Sequence, residues 1–215
     1  DDPSWENQFR CSGGAEGVLV AGVLAKESAA ASGKTIAQLA KEKGVDPEDA
    51  LFDLLIADRL NTSNILFIMD DKDVETALAD PMVAFCTDSG AGAEDGILSE
   101  PGSHPRGWGS APRILGHYVR EKRLLSLEEA VRKMTSLPAA RAGLQARGIL
   151  RPGMKADLVL FDPATVGTRA TYTDPNHYAD GIPYVAVNGE LVVDGGKITA
   201  ARPGVVLRGP GYRRE

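Results

Sequence analysis

Three short apolar runs constrain this chain most: VLVAGVL at Val18–Leu24, ILFIM at Ile65–Met69 and MVAFC at Met82–Cys86. Turn-forming residues bound them, and segments of helical period separate them. Unbroken apolar character suits strands buried on both faces, which predicts parallel strands covered by helices and an α/β fold. In GKTIAQLAKEKG, Ile36, Leu39 and Ala40 recur at helical spacing and Gly44 supplies a C-cap. Asp46 and Pro47 then restart a helix as N-cap and first helical residue, with Ala50, Leu51, Leu54 and Leu55 as its apolar stripe. A further helix is expected over 70–79, with Val74, Ala77 and Leu78 on one face and Pro81 as its stop.

In such folds the connecting loops converge at the carboxyl ends of the strands, so functional groups collect there. Asp88 follows the third apolar run, and the glycine- and proline-rich loop from Gly90 to Ser110 comes after it. That loop presents His104, Arg106 and Trp108, with Arg113 just beyond. A helix is expected from about Pro112, packing Ile114, Leu115, Tyr118 and Val119. Another follows, opened by a Ser126/Glu129 capping box and burying Ala130, Val131 and Met134, and Pro138 starts the next turn or helix. From Ile149 the character changes. Asn188-Gly189 and Asp194-Gly195-Gly196 sit between β-branched runs as tight hairpin turns, so a small antiparallel sheet is expected, with domains at 1–148 and 149–215.

With 215 residues, 43% of them hydrophobic, the chain can bury a sizeable core. A net charge of −6 argues against nucleic-acid and anionic-membrane partners, which call for basic patches. Cys11 and Cys86 form no paired motif, so a reducing, cytoplasmic setting is the expectation. No apolar run approaches the ~18 residues of a membrane span, and DDPSWENQFR lacks the features of a signal peptide. It also lacks an initiator methionine, so a targeting segment can be missing from it.

Taken alone, each candidate residue has an ordinary explanation. Asp88 suits a turn cap before Gly90 as well as it suits proton transfer. Arg106 reads as a solvated loop arginine, and His104 as a hydrogen-bonded loop residue. Trp108 walls the loop. Cys86 sits two residues before Asp88 and reads as buried packing, Cys11 reads as structural, and Asp157 in KADLVLFD is expected to hold the domain junction.

The combination TDSG, HPRGWGSAPRILGHYVRE and LSLEEAVRKMTSLPAARAGLQARGILRPGMKADLVLFDP resembles the C-terminal half of the N-acyl-D-amino-acid deacylases, the D-aminoacylases of the amidohydrolase superfamily. GKTIAQLAKEKGVDPEDALFDLL fits the same family, so the resemblance covers nearly the whole chain. It implies the C-terminal part of a metal-dependent (β/α)8 TIM barrel, followed by a small β-sandwich portion. The implied activity is hydrolysis of the amide of N-acyl-D-amino acids, with zinc as cofactor. The resemblance makes Asp88 the catalytic base and proton shuttle, and also a weak or second-site metal ligand. It makes Arg106 the group that grips the substrate carboxylate. The chain departs from the family in having no His-x-His pair and only three histidines, His104, His117 and His177. The main metal ligands therefore belong to an N-terminal half, present as a missing segment or a separate chain, and this chain alone is expected to be inactive. The competing readings are a non-catalytic fragment, a subunit completing another chain's barrel, and an amidohydrolase acting on a different cyclic amide.

Overall fold

The computed structural model describes residues 5–99, 103–209 and 211–212. The first four residues of DDPSWENQFR, residues 100–102 of the expected loop and residues 210 and 213–215 of the expected second domain lie outside the described residues. Helices and strands interleave in an α/β fold. The chain divides into two units, each with its own apolar core. The first takes the chain up to Asp73 together with Asp88–Gly109 and Arg169–Tyr178, and the second takes Val74–Thr87, Ser110–Thr168 and the chain from Ala179 onward.

In the first unit a short helix α1 (Gln8–Cys11) leads to β1 (Val18–Gly22), α2 (Ile36–Lys43), α3 (Pro47–Ala57) and β2 (Ser63–Leu66). Helix α2 is closed at both ends as its sequence requires. Thr35 and Gln38 form a capping box, and Gly44 adopts the left-handed conformation with φ 68°. Asp46 stands at the N-cap position of α3, but its side chain accepts no capping hydrogen bond; Pro47, Glu48 and Asp49 provide the favourable first turn instead. Ala50 and Leu54 are the buried residues of the expected stripe, and Leu54 shares one core with Val18, Val20, Ile36 and Leu39. Each such aliphatic side chain contributes about 1.5–3 kcal/mol when withdrawn from water.

Two expectations about the strands are corrected. Strand β1 pairs with β2 antiparallel, in the register Val18 to Leu66, Leu19 to Ile65 and Val20 to Asn64. Burial on both faces is real in β1, but unbroken apolar character reports burial and says nothing of strand direction. The run MVAFC forms no strand. A strand exists only where a neighbour takes its backbone groups, and the backbone bonds found there are the Phe85 N–H to the Lys133 carbonyl at 3.3 Å and the Val83 N–H to Asp80 at 3.1 Å.

The second unit collects the later part of α4 (Asp71–Ala79), the end of α5 (Arg106–Arg113) and its direct continuation as a π-helix (Ile114–Glu121). It also holds α6 (Leu127–Met134), α7 (Ser136–Arg141) and the sheet β3 (Leu158–Leu160), β4 (Tyr184–Val187), β5 (Glu190–Asp194) and β6 (Lys197–Ile198). That sheet is antiparallel in the order β3-β4-β5-β6, with Asn188 (φ 51°) and Gly189 (φ 86°) making the tight turn foreseen between β4 and β5. Its core is Ile114, Leu115, Tyr118, Ala130 and Val166, with Val74, Leu78 and Phe85 packed against it. Asp157 ties strands to loop: it pairs with Arg147 and accepts the Asn188 N–H at 2.8 Å. The Asn188 amide above all holds its carboxyl below the usual range.

On α6 the Ser126 hydroxyl accepts the Glu129 N–H at 3.2 Å, but the Glu129 carboxylate turns to Arg132 at 2.7 Å, leaving half a capping box. Val131 is exposed, and Lys133 is buried in its place. The Lys133 ammonium donates to the Leu78 carbonyl and, at 2.7 Å, to the Asp80 carbonyl, and stands 5.0 Å from the Phe85 ring centroid. It thus satisfies carbonyl groups at the C-terminal end of α4, where a cation is favoured. Burial pushes its pKa down.

Candidate functional site

Helix α5 starts at Arg106, earlier than the sequence suggests, so Arg106 and Trp108 are helical and not loop residues. Gly107 and Pro112 read as breakers, yet each has a place. A Cβ on Gly107 would stand 2.5 Å from the Ser89 hydroxyl, so glycine lets the first turn of the helix lie against the Asp88-Ser89 segment. Pro112 removes an i→i−4 donor inside the helix, and two residues later the helix widens to π geometry.

That close approach brings the two site residues together. The Arg106 guanidinium lies 3.5 Å from the Asp88 carboxylate, with Asp88's side chain 88% exposed and Arg106's 47%. An ion pair this open to water contributes roughly 0–1 kcal/mol, so both groups can exchange partners at little cost. Asp88 itself has φ 48°, the left-handed region that a non-glycine residue occupies only with strain. Cys86 is exposed instead of packed, and Cys11 is exposed as well.

Residues far away in sequence complete the surroundings. The Trp108 indole N–H donates to Ser103 at 3.1 Å, and Ser103 donates to Asn176, 73 positions along the chain. Trp108 packs at 5.6 Å on Tyr178, whose hydroxyl accepts the Glu94 N–H at 3.3 Å. Trp108 thus walls the loop as expected. His104 accepts the Arg106 N–H on Nδ1 at 2.9 Å. Its pKa is pushed down by burial first and by the Arg106 charge second. No sequence signal marked Asn176 or Tyr178, because nothing local links them to the HPR segment.

The other polar candidates have partners of their own. Arg113 stands over the Tyr118 ring at 5.7 Å, His117 pairs with Glu121 at 2.9 Å, and His177 pairs with Asp174 at 2.7 Å. Among the described residues no group of three or more His, Cys, Asp or Glu could hold a metal ion. Asp88's partner is a cation, which opposes a second cation at the same carboxylate. The described residues do not fit a zinc site on their own.

Comparison with known proteins gives this arrangement a family. The chain belongs to the amidohydrolase family, whose profile matches residues 15–193. Within that family its similarity is to deacylases of N-acyl-D-amino acids. It is 43% identical over 177 residues to the N-acyl-D-aspartate deacylase of Alcaligenes xylosoxydans xylosoxydans, a match covering 82% of this chain and 33% of that protein. It is 42% identical over 176 residues to the D-aminoacylase of the same organism, covering 82% and 34%. The crystal structure of N-acyl-D-glutamate deacylase from Bordetella bronchiseptica, complexed with zinc and a phosphonate mimic of the tetrahedral intermediate, superposes with a TM-score of 0.76. Identity there is 37%, over 93% of this chain and 39% of that one. The chain spans about a third of the length of the curated relatives it matches.

Proposed function

We propose that this chain is part of a zinc-dependent amide hydrolase that removes the acyl group from N-acyl-D-amino acids. In this reading residues 1–148 belong to the C-terminal portion of a (β/α)8 barrel and residues 149–215 to a β-sandwich portion. An N-terminal half completes the barrel and carries the zinc ligands, and the enzyme works in the cytoplasm. The observation that carries the reading is the 3.5 Å pairing of Asp88 with Arg106 in a chain of this family.

Arg106 presents a planar fork suited to the free carboxylate of the substrate. Docking of that carboxylate draws the guanidinium away from Asp88. Asp88, released, takes the proton of the attacking water as the new C–O bond forms, and delivers it to the amide nitrogen as the C–N bond breaks. The products are a carboxylic acid and a free D-amino acid. The exposed pair holds the two groups near each other without locking either.

In the zinc-loaded enzyme acting on N-acetyl-D-methionine, Asp88→Asn is expected to lower kcat by about 10²- to 10⁴-fold, the usual worth of a general acid–base. Arg106→Met is expected to raise KM about 10- to 100-fold with a smaller change in kcat, as for a lost hydrogen bond between charged groups. A fully active Asp88→Asn enzyme ends this assignment. Equal losses on the substrate and on its uncharged carboxamide analogue in Arg106→Met remove the carboxylate-gripping role.

A further inference from the structure

The first turn of any helix leaves backbone N–H groups without partners inside the helix. At the start of α5, one residue supplies partners for two of them. The His104 ring accepts the Arg106 N–H on Nδ1 at 2.9 Å, and the His104 carbonyl accepts the Gly107 N–H at 3.1 Å. A ring nitrogen that accepts carries no proton, so His104 is held as the neutral tautomer with its proton on Nε2.

The ring is itself held. Tyr172 meets it edge to face, with centroids 5.6 Å apart and planes at 83°. Tyr172 in turn meets Phe67, just past β2, at 5.0 Å and 86°. Fixed contacts therefore run from Phe67 through Tyr172 and His104 to the backbone of Arg106. From there the Arg106 side chain reaches Asp88 while Gly107 lies against Ser89.

We infer that His104 is a positioning residue for Arg106: its neutral imidazole caps α5 through Nδ1 and so holds the guanidinium where it meets Asp88 and the substrate carboxylate. The identity of that ligand rests on the deacylase reading, whereas the cap does not. A side chain at 104 that cannot accept removes this bond to the Arg106 amide and lets the start of the helix fray. Asparagine, whose amide oxygen is a good helix cap, keeps an acceptor at nearly the same reach.

The test combines two measurements on the zinc-loaded enzyme: ¹⁵N resonances of the His104 ring, and kcat and KM for N-acetyl-D-methionine in wild type, His104→Leu and His104→Asn. The expected spectrum at neutral pH shows Nδ1 bare and Nε2 protonated. His104→Leu is expected to raise KM roughly five- to tenfold, the fold-change of a lost cap, with kcat much less affected, and His104→Asn to restore most of the loss. A proton on Nδ1, a wild-type KM in His104→Leu, or equal impairment in both variants overturns the inference. The ring spectrum decides the cap even if His104→Leu fails to fold. A wild-type enzyme that cleaves no N-acyl-D-amino acid sinks the deacylase reading, and with it the substrate half of the inference, while the spectrum still judges the cap.

Discussion

Asp58, buried beyond the end of α3, takes the Leu24 N–H at 2.8 Å, the Ala25 N–H at 2.6 Å and the Thr62 hydroxyl at 3.0 Å. These donors, Ala25 foremost, favour its ionised form and lower its pKa against the opposing effect of burial. A carboxylate depressed on folding stabilises fully above its unfolded pKa, and the benefit is lost as pH falls through the folded value. Asp58→Asn keeps the shape but not the charge. Its Tm is therefore expected to fall below that of wild type near pH 7, and the gap to narrow as pH is lowered through and below the usual carboxylate range. A gap that stays constant would falsify the charged-acceptor role. Single residues were unevenly legible in the sequence. Asp88 and Arg106 were singled out through resemblance, while Asp58 looked like one more acidic residue at a helix end. Lys133 was hidden by the ordinary rule that lysines are exposed, and only the carbonyls left at the end of α4 explain why it is not.

Among the elements, the π-helical stretch Ile114–Glu121 buries Ile114, Leu115, Gly116 and Tyr118. A Cβ on Gly116 would stand 2.7 Å from the Val166 carbonyl, the same carbonyl that accepts from Arg120 at 2.6 Å. Gly116→Ala is expected to destabilise the protein by about 1–3 kcal/mol, through overpacking and displacement of the Arg120 bond. Denaturant titration checks this, and an unchanged midpoint would mean that the 166–167 segment yields freely. Elements fixed by local chemistry were readable beforehand: α2 through Thr35 and Gly44, the β4–β5 hairpin through Asn188-Gly189, and the core-facing side of the helix after Arg113. Elements that depend on distant chain were not. The direction of β1 against β2 is set by pairing, and MVAFC lacks a neighbouring strand to make it one. The early start of α5 was masked because Gly107 serves the approach of Ser89, a residue the local sequence does not reveal.

For the molecule as a whole, large apolar side chains remain in water. On α3 and just past it, Phe52, Ile56 and Leu60 recur every four residues and are 59%, 76% and 77% exposed. Met69, Met82 and Leu150 are exposed as well. Among the described residues no helix is long and apolar enough to cross a membrane, so a bilayer-spanning helix does not account for this surface. Patches of this kind favour association. Light scattering on the isolated polypeptide is expected to give a mass above the 22.7 kDa monomer, falling toward a defined complex when the proposed N-terminal half is added. A sharp monomer on its own would show that the apolar surface is tolerated in water. The burial of Lys133 has a consequence of another kind. Acylating and alkylating reagents modify amines that solvent can reach, and this one is sealed between α4 and α6 while the other lysines stand in or near water. Its silence toward such reagents marks intact contact between two helices distant in the chain, and a label appearing there dates the moment that contact opens.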